Sequence, residues 1–190
     1  MDGIIETYNN TCKMILAEIK QTLEAIDPRD IDLLIDKILT ARKVFFVGVG
    51  RVELSLKAIA KRWAHLGIST HIVGEITEPA ITKDDILIVG SGSGSSIIPF
   101  NIAVKAKEIG ATIIHIGSNK NGRVKDYTDY MVRVPVRTKL YLDDEIDSQQ
   151  IMTSLFEQVL LLLGDIVAQI IVEKQGIDIG ELWECHANLE

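Results

Sequence analysis

The segment of this sequence that most clearly points to chemistry is rich in glycine and serine. Residues 90–96 read Gly-Ser-Gly-Ser-Gly-Ser-Ser and follow a short apolar run. Glycines let backbone N–H groups approach an anion closely, serine hydroxyls add donors, and a following helix would direct its positive end at the same place. The segment has no charged residue, which suits a small phosphate monoester that binds and leaves within a turnover. The alternative is an ordinary serine-rich turn that caps a helix. The candidate phosphate ligands are Ser91, Ser93, Ser95 and Ser96.

Two further glycine-containing turns follow apolar runs, Gly-Val-Gly-Arg at 48–51 and Gly-Ser-Asn at 117–119. In open parallel sheets, ligands bind outside the carboxyl ends of the strands, where such turns lie. The dinucleotide fingerprint G-x-G-x-x-G fails, because its sixth position is Glu53 in the first turn and Ser95 in the serine-rich one. A Walker A loop fails too, since no Gly-Lys-Ser or Gly-Lys-Thr occurs. NAD and ATP are therefore poor candidates, and neither a cofactor nor a metal is expected.

Composition and charge narrow the class of protein. The 190 residues suit about one domain whose core needs no disulfide or metal. The 20 basic against 27 acidic residues, formally −7, disfavour a nucleic-acid partner. Cys12 and Cys185 lie far apart with no C-x-x-C, as expected in a reducing, cytosolic interior. The N-terminus lacks the basic region of a secretory signal, and the longest apolar run, 159–163, is too short to span a membrane. A soluble, cytoplasmic protein is therefore expected.

Short apolar runs alternate with helical patterns through the middle of the chain. The runs at 43–48, 69–74, 85–90, 111–117 and 130–134 are typical of buried strands. Helical patterns at 52–66 and 95–109 are each followed by glycine, and a short helical turn follows Asn121. This alternation predicts an α/β fold with a parallel sheet and right-handed crossovers. Residues 136–149 have no clean period and are predicted to form a long loop, either functional or mobile.

Helices are also predicted at both ends of the chain. Apolar residues spaced by three and four mark an amphipathic first helix from Ile5 to Leu23, and a second helix begins at about Asp30. A long leucine-rich helix at about 149–174 is apolar all round between 159 and 163, so something must cover every side of it. One sheet face cannot do so, which predicts homo-oligomerisation through helices. The alternative is a helix enclosed within the monomer.

Four short stretches match a known family. They are Val-Gly-Val-Gly-Arg at 47–51, Gly-Ser-Gly-Ser-Gly at 90–94, Phe-Glu-Gln at 156–158 and His-Ala-Asn-Leu-Glu at 186–190. With them the chain resembles the SIS (sugar isomerase) domains, and more narrowly the 6-phospho-3-hexuloisomerases, over essentially its full length. The resemblance implies one three-layer α/β/α domain over 1–190 with a five-stranded parallel sheet. It also implies a tetramer whose interface is formed by the helices at 1–41 and 149–190, with sites near subunit boundaries.

The resemblance also implies a reaction and residues to perform it. The reaction interconverts 3-hexulose 6-phosphate and fructose 6-phosphate without cofactor, by proton transfer through an enediolate. Glu157 matches the catalytic carboxylate, and partial burial at a polar-to-apolar border would make it a stronger base; without the resemblance, a solvated helix glutamate is the simpler interpretation. His186 matches a C-terminal histidine, a proton relay or hydroxyl donor that could reach a neighbouring subunit. Gly50 and Arg51 join the four serines as substrate-binding residues. Two other histidines are assigned to helix packing and a strand edge, His65 and His71.

Several positions depart from the family pattern. Val52 and Glu53 replace Ser-Gly, Ser95 and Ser96 replace Glu-Thr, Ile151 and Thr153 interrupt Gln-Pro-Met-Gly, and Glu78 replaces a threonine before proline. Together with the acidic residues at 143, 144, 145 and 147, these changes predict weaker binding of phosphate. Two alternatives stay open: a non-catalytic sugar-phosphate sensor, and a different isomerase such as the phosphoheptose type.

Overall fold

Five parallel strands form one sheet in the computed structural model, which describes residues 2–189. The strands are β1 Val44–Val47, β2 Thr70–Ile72, β3 Ile86–Gly90, β4 Thr112–Gly117 and β5 Tyr130–Arg133. Their order across the sheet is β2-β1-β3-β4-β5, and every neighbouring pair is parallel. The predicted five-stranded parallel sheet is thus confirmed, with each strand at its predicted place. Met1 and Glu190, which the predicted domain of 1–190 includes, lie outside the described residues.

Both faces of the sheet are buried because its strands carry apolar side chains at successive positions. In β1, Val44 and Phe46 belong to one apolar cluster, whereas Phe45 and Val47 belong to a second cluster on the other face. Successive residues of a strand point to opposite faces, so an uninterrupted apolar run needs cover on both. This is why the strands occur as short runs of Val, Ile and Phe rather than as alternating patterns.

The described residues form five α-helices, four of which supply that cover. They are α1 Asp2–Glu24, α2 Pro28–Thr40, α3 Arg51–Ala64, α4 Ile97–Ile109 and α5 Ser154–Gln175, with 3₁₀ helices at Arg123–Tyr127 and Glu181–Cys185. The Asp27 side chain accepts a hydrogen bond from the Arg29 N–H at 2.9 Å and caps α2, which begins with Pro28. Gly110 ends α4 in the left-handed conformation with φ 95°.

The helices form two layers around the sheet. Buried residues of α2, α3 and α5 share one cluster with one face, and α4 with the adjacent 3₁₀ helix covers the other. The three-layer α/β/α arrangement is therefore confirmed. α1 packs on α5, whereas Ile4, Ile5, Tyr8 and Leu16 of α1 are more than half exposed.

The C-terminal part of the chain departs from the prediction. The long helix was expected to begin at about residue 149, but α5 begins at Ser154. Residues 148–150 are instead held by the distant Glu18, and Met152 has a φ of 54°, which a helix cannot accommodate. The predicted helices over 149–190 are also wrong beyond Gly176, where the described residues contain only the 3₁₀ helix Glu181–Cys185.

The apolar character of α5 is explained largely within the monomer. This helix of 22 residues is long and apolar enough to cross a membrane: its most apolar stretch of 18 residues has a mean hydropathy of 2.0, but 61% of that stretch is buried. The helix packs against α1, α2 and α3 and contributes eleven buried residues to the fold. Leu161, Leu162 and Ile166 remain between 36% and 39% exposed, so the monomer leaves one apolar strip of this helix uncovered.

Candidate active site

The glycine-serine segment, residues 90–96, lies at the end of β3 near the centre of the sheet. The chain runs from β1 to one edge and from β3 to the other, so the strand order reverses between these two neighbours. Ligands of open parallel sheets bind outside the carboxyl ends of the strands at such a point. α3 begins soon after β1, and α4 begins just after the segment, with Ser96 as its N-cap. Two helix N-termini therefore lie at the same edge of the sheet, where their partial positive charge favours an anion.

The carbonyl groups of the segment are bonded to the chain that follows β4. Gly92 O accepts the N–H groups of Ser118 and Asn119, Ser93 O accepts Asn119 Nδ2, and Gly94 O accepts the Val124 N–H, at 2.9–3.1 Å. In a trans peptide the C=O of one residue and the N–H of the next point in opposite directions, and no described peptide bond is cis. The N–H of Ser93 therefore points away from this support. The segment thus presents donors rather than acceptors to a ligand.

A cavity of about 600 Å³ opens beside the segment. Five of the candidate residues predicted from the sequence line it, namely Arg51, Ser91, Ser93, Ser96 and Glu157. Its other lining residues are Val49, Val52, Gly90, Gly92, Thr138, Lys139, Ile151, Met152, Thr153, Ser154 and Phe156. The cavity therefore joins the ends of β1 and β3 to the first turn of α5.

Glu157 is buried in this cavity and is fully engaged. It is 7% exposed, and its Oε1 accepts a hydrogen bond from Thr153 Oγ1 at 2.8 Å. Its Oε2 forms an ion pair with Arg51 Nε, and its backbone carbonyl accepts Ser55 Oγ at 2.9 Å. A carboxylate held in this way has a fixed direction, which a general base requires. Arg51 itself is 66% exposed and has further N–H groups with which to meet a ligand.

Sequence reasoning missed Thr138, Lys139 and Thr153 as cavity residues. Thr138 and Lys139 belong to the aperiodic loop after β5, which was predicted to be functional or mobile without any residue being singled out. Glu145 shapes this loop: its carboxylate accepts hydrogen bonds from Ser118 Oγ at 2.8 Å and from the Thr138 N–H at 3.0 Å. The loop is thereby tied to the end of β4, and its aperiodicity was the only signal available.

The segment just before α5 is fixed by Glu18 of α1. The Glu18 carboxylate accepts Ser148 Oγ at 2.7 Å, the Gln149 N–H at 2.8 Å and Gln150 Nε2 at 3.1 Å. Burial alone would raise the pKa of Glu18, but the hydrogen bonds from Gln149, Ser148 and Gln150 outweigh it and hold the pKa below its ordinary value. This cluster positions the chain that leads directly to Thr153.

The acidic residues expected to weaken phosphate binding face other partners. Asp144 forms an ion pair with Arg133 at 2.6 Å, and Asp147 forms one with Arg137 at 2.6 Å. Glu53 is paired with Lys57 on the next turn of α3 at 2.9 Å. These three carboxylates, Glu145 and Asp143 are absent from the cavity lining. Their effect on a bound anion is therefore indirect.

Three predicted site residues lie outside the cavity lining of the described chain. Gly50 is the N-cap of α3 with φ 60°, a conformation that favours glycine, so its role in the fold is to turn the chain into the helix that carries Arg51. Ser95 Oγ accepts the Arg123 N–H at 3.2 Å, on the side of the segment that faces the 3₁₀ helix. His186 lies far from both.

His186 rests at the opposite end of α3 from Arg51. Its ring packs against His65 and Trp183, with centroid distances of 5.2 and 5.4 Å. His65 directly follows the last residue of α3, and fourteen helical residues span about 21 Å. A contact between His186 and the cavity of its own chain would therefore require a large movement. His65 is buried at the helix end and His71 lies in β2 against Phe45, in the positions predicted for them.

The fold and this cavity define a class of protein. The sugar isomerase domain of an RpiR transcription factor from Sphaerobacter thermophilus has the same fold, with a TM-score of 0.71 at 15% identity, covering 97% of this chain and 96% of that one. The chain thus has the fold of a SIS domain. No three His, Cys, Asp or Glu side chains within residues 2–189 are grouped so as to hold a metal ion.

Sequence relatives define the particular family. No family model matches the chain. The 3-hexulose-6-phosphate isomerase of Bacillus subtilis (strain 168) is 36% identical over 93% of this chain and 95% of its own. A hypothetical protein from Methanococcus jannaschii, whose crystal structure infers a function of 3-hexulose-6-phosphate isomerase, is 32% identical with a TM-score of 0.81, covering 95% of this chain and 99% of that one. The chain belongs to the 3-hexulose-6-phosphate isomerase family and is an isomerase.

Proposed function

We propose that this isomerase interconverts 3-hexulose 6-phosphate and fructose 6-phosphate, with the phosphate bound by the glycine-serine segment and Glu157 acting as the base. The observation that carries the proposal is that the segment and Glu157 line one cavity. The name shared by the relatives supports the choice of substrate.

The phosphate end of the substrate belongs at the segment between β3 and α4. Ser91, Ser93 and Ser96 supply hydroxyl donors, the Ser93 N–H faces away from its support, and α4 adds the field of its N-terminus. Lys139 lines the same cavity from the loop after β5 and adds a positive charge. A dianion is thus held mostly by neutral groups, which permits release after each turnover.

The proton transfer belongs at Glu157. In fructose 6-phosphate the carbonyl is at C2, so the base removes the proton on C3 and leaves a 2,3-enediolate with negative charge on O2. Returning the proton to C2, while the hydroxyl proton moves from O3 to O2, yields the 3-hexulose 6-phosphate. The Nη groups of Arg51 stand beside the carboxylate and are suited to stabilise the enediolate oxygen.

The proposal includes a second chain, because His186 lies at the end of α3 opposite to Arg51, and the fourteen residues of that helix span about 21 Å. We assign His186 to the cavity of a neighbouring subunit, where it moves the hydroxyl proton or binds a hydroxyl. Ile151 and Met152 at the cavity are 79% and 86% exposed, which suits a site at a subunit boundary. The proposed assembly is a homotetramer in the cytoplasm.

Hydrogen exchange tests the reaction directly. Wild-type protein in D₂O should exchange the C3 proton of fructose 6-phosphate, followed by NMR, and Glu157→Gln should slow this exchange by about 10²–10⁴-fold. Glu173→Gln is the matched control, since Glu173 is an exposed glutamate of the same helix. Binding of fructose 6-phosphate without any exchange would refute the proposed reaction. Faster hydrogen exchange in a pentose or heptose phosphate than in fructose 6-phosphate would refute the proposed identity of the substrate.

A further inference from the structure

A buried histidine lies directly under the glycine-serine segment. His115 is in the middle of β4, is 2% exposed, and pairs in register with Val89 of β3. Its Nε2 lies 2.8 Å from the carbonyl oxygen of Ser91. The ring also fills the space beneath two glycines: a Cβ on Gly117 would lie 2.3 Å from Nε2, and one on Gly94 would lie 3.2 Å from Cε1. The segment therefore rests on this imidazole.

The chemistry of the contact fixes which atom donates. A carbonyl oxygen only accepts hydrogen bonds, so Nε2 must carry the proton. Burial lowers the pKa of His115, and the hydrogen bond to Ser91 opposes this only in part, so the imidazole is neutral near pH 7. The surrounding positions on this face of the sheet are apolar, namely Val47, Leu87, Val89 and Ile113. A buried imidazole is costly there unless it is hydrogen-bonded, and Ser91 O is its partner.

We infer that His115 is a positioning residue for the anion-binding segment, an inference that rests on the proposed function. Its N–H holds the Ser91 carbonyl toward the sheet. Because the peptide is trans, the N–H of Gly92 then points the opposite way, toward the cavity that Gly92 lines. Without this donor the Ser91 carbonyl loses one of its two partners, leaving only the Gly94 N–H at 3.1 Å. A carbonyl that turns toward the cavity would place a partial negative charge against the phosphate.

Three substitutions at His115 separate positioning from simple packing. The side-chain amide of His115→Gln reaches the position of Nε2 and keeps a donor, whereas that of His115→Asn reaches only that of Nδ1, and His115→Leu has no donor. We expect the Asn and Leu variants to bind inorganic phosphate about tenfold more weakly, as the loss of one buried hydrogen bond implies, and the Gln variant to bind within about threefold of wild type. In turnover the same variants should raise KM for fructose 6-phosphate with kcat changed less than about twofold.

Phosphate binding, measured by calorimetry, keeps this test independent of the reaction. If the protein exchanges no sugar proton but the ranking of phosphate affinities holds, the proposed reaction fails and the role of His115 stands. Equal phosphate affinity for wild type and a folded Leu variant, or equal losses for Gln and Asn, would overturn the role of His115. Should the variants not fold, wild-type protein labelled with ¹⁵N decides: phosphate must shift the Gly92 amide and the His115 Nε2–H resonances, and unchanged resonances would contradict the inference.

Discussion

Replacing Glu18 with Gln should destabilise the protein, although Glu18 lies on a helix outside the cavity. Its carboxylate accepts three hydrogen bonds from the segment before α5, at 2.7–3.1 Å, and the residue is 8% exposed. The carboxylate uses both oxygens for these bonds, whereas an amide offers one, so it cannot accept from all three donors as they are arranged. Hydrogen bonds to a charged acceptor contribute about 1.5–3 kcal/mol each against about 0.5–1.5 for a neutral one, so we expect a loss of about 3 kcal/mol. For a chain of this size that lowers Tm by about 6–12 °C.

The dependence on pH distinguishes this carboxylate from a packing effect. Because the pKa of Glu18 is lowered by folding, its contribution is fully present above the ordinary glutamate pKa and is lost as pH falls through the lower folded value. The difference in free energy of unfolding between wild type and Glu18→Gln should be largest near pH 7 and should narrow below about pH 4. Urea unfolding at several pH values measures it, with Glu24→Gln, an exposed glutamate of α1, as the control. A constant difference down to pH 3, or none at pH 7, would refute the reasoning.

Two further substitutions are compared for their effects on phosphate binding. One disturbs the support of the glycine-serine segment, and the other lowers stability at a place away from the cavity. Gly122→Ala would place a Cβ 2.6 Å from the Cα of Gly94, so we expect the glycine-serine segment to shift. Inorganic phosphate should then bind at least about tenfold more weakly, as measured by calorimetry. Gly3→Ala, with open space around it, is the control, and an unchanged affinity of Gly122→Ala for phosphate would contradict this expectation. Asp85→Asn should lower the free energy of unfolding in urea by about 2–3 kcal/mol, because Asp85 is buried and pairs with the half-exposed Arg42 at 2.8 Å. The affinity for phosphate should stay unchanged, because Asp85 precedes β3 at its amino end, away from the cavity. If Asp85→Asn also weakened phosphate binding, the affinity of the site would depend on overall stability and not on the support of the glycine-serine segment.

The sheet was predictable from the sequence because local patterns determine it. Each strand is an apolar run bounded by polar or glycine residues, and no helix of that length could bury such a run on every side. The start of α5 was not predictable in this way. Residues 149–153 are compatible with a helix by themselves, and the contact that excludes it comes from Glu18, more than 130 positions earlier in the chain. A hydrogen bond between distant segments leaves no periodic signal at either end.

In the candidate site, too, some residues could be predicted from local sequence and others could not. The glycine-serine segment carries its chemistry in its own composition, so its place at the edge of the sheet followed from one stretch of sequence. Thr138 and Lys139 reach the cavity only because Glu145 folds their loop back onto the end of β4. Nothing in the sequence distinguishes His115 from other interior positions of a strand. Only the three-dimensional structure shows that its ring is hydrogen-bonded to the carbonyl of Ser91.

The charges around the cavity explain how an acidic chain can accept an anionic ligand. The whole chain carries a formal charge of −7, whereas the charged residues that line the cavity in the described chain are Arg51, Lys139 and Glu157, with a sum of +1. Exposed carboxylates farther from the cavity than about 10 Å, which is the Debye length at 0.1 M salt, are largely screened. Neutralising Lys139 would leave the sum at zero, so affinity for the phosphate would then depend on the segment's neutral donors. In the proposed function this arrangement would separate two tasks: dipoles and hydroxyls would hold the phosphate, and the ion pair of Arg51 with Glu157 would fix the direction of the base.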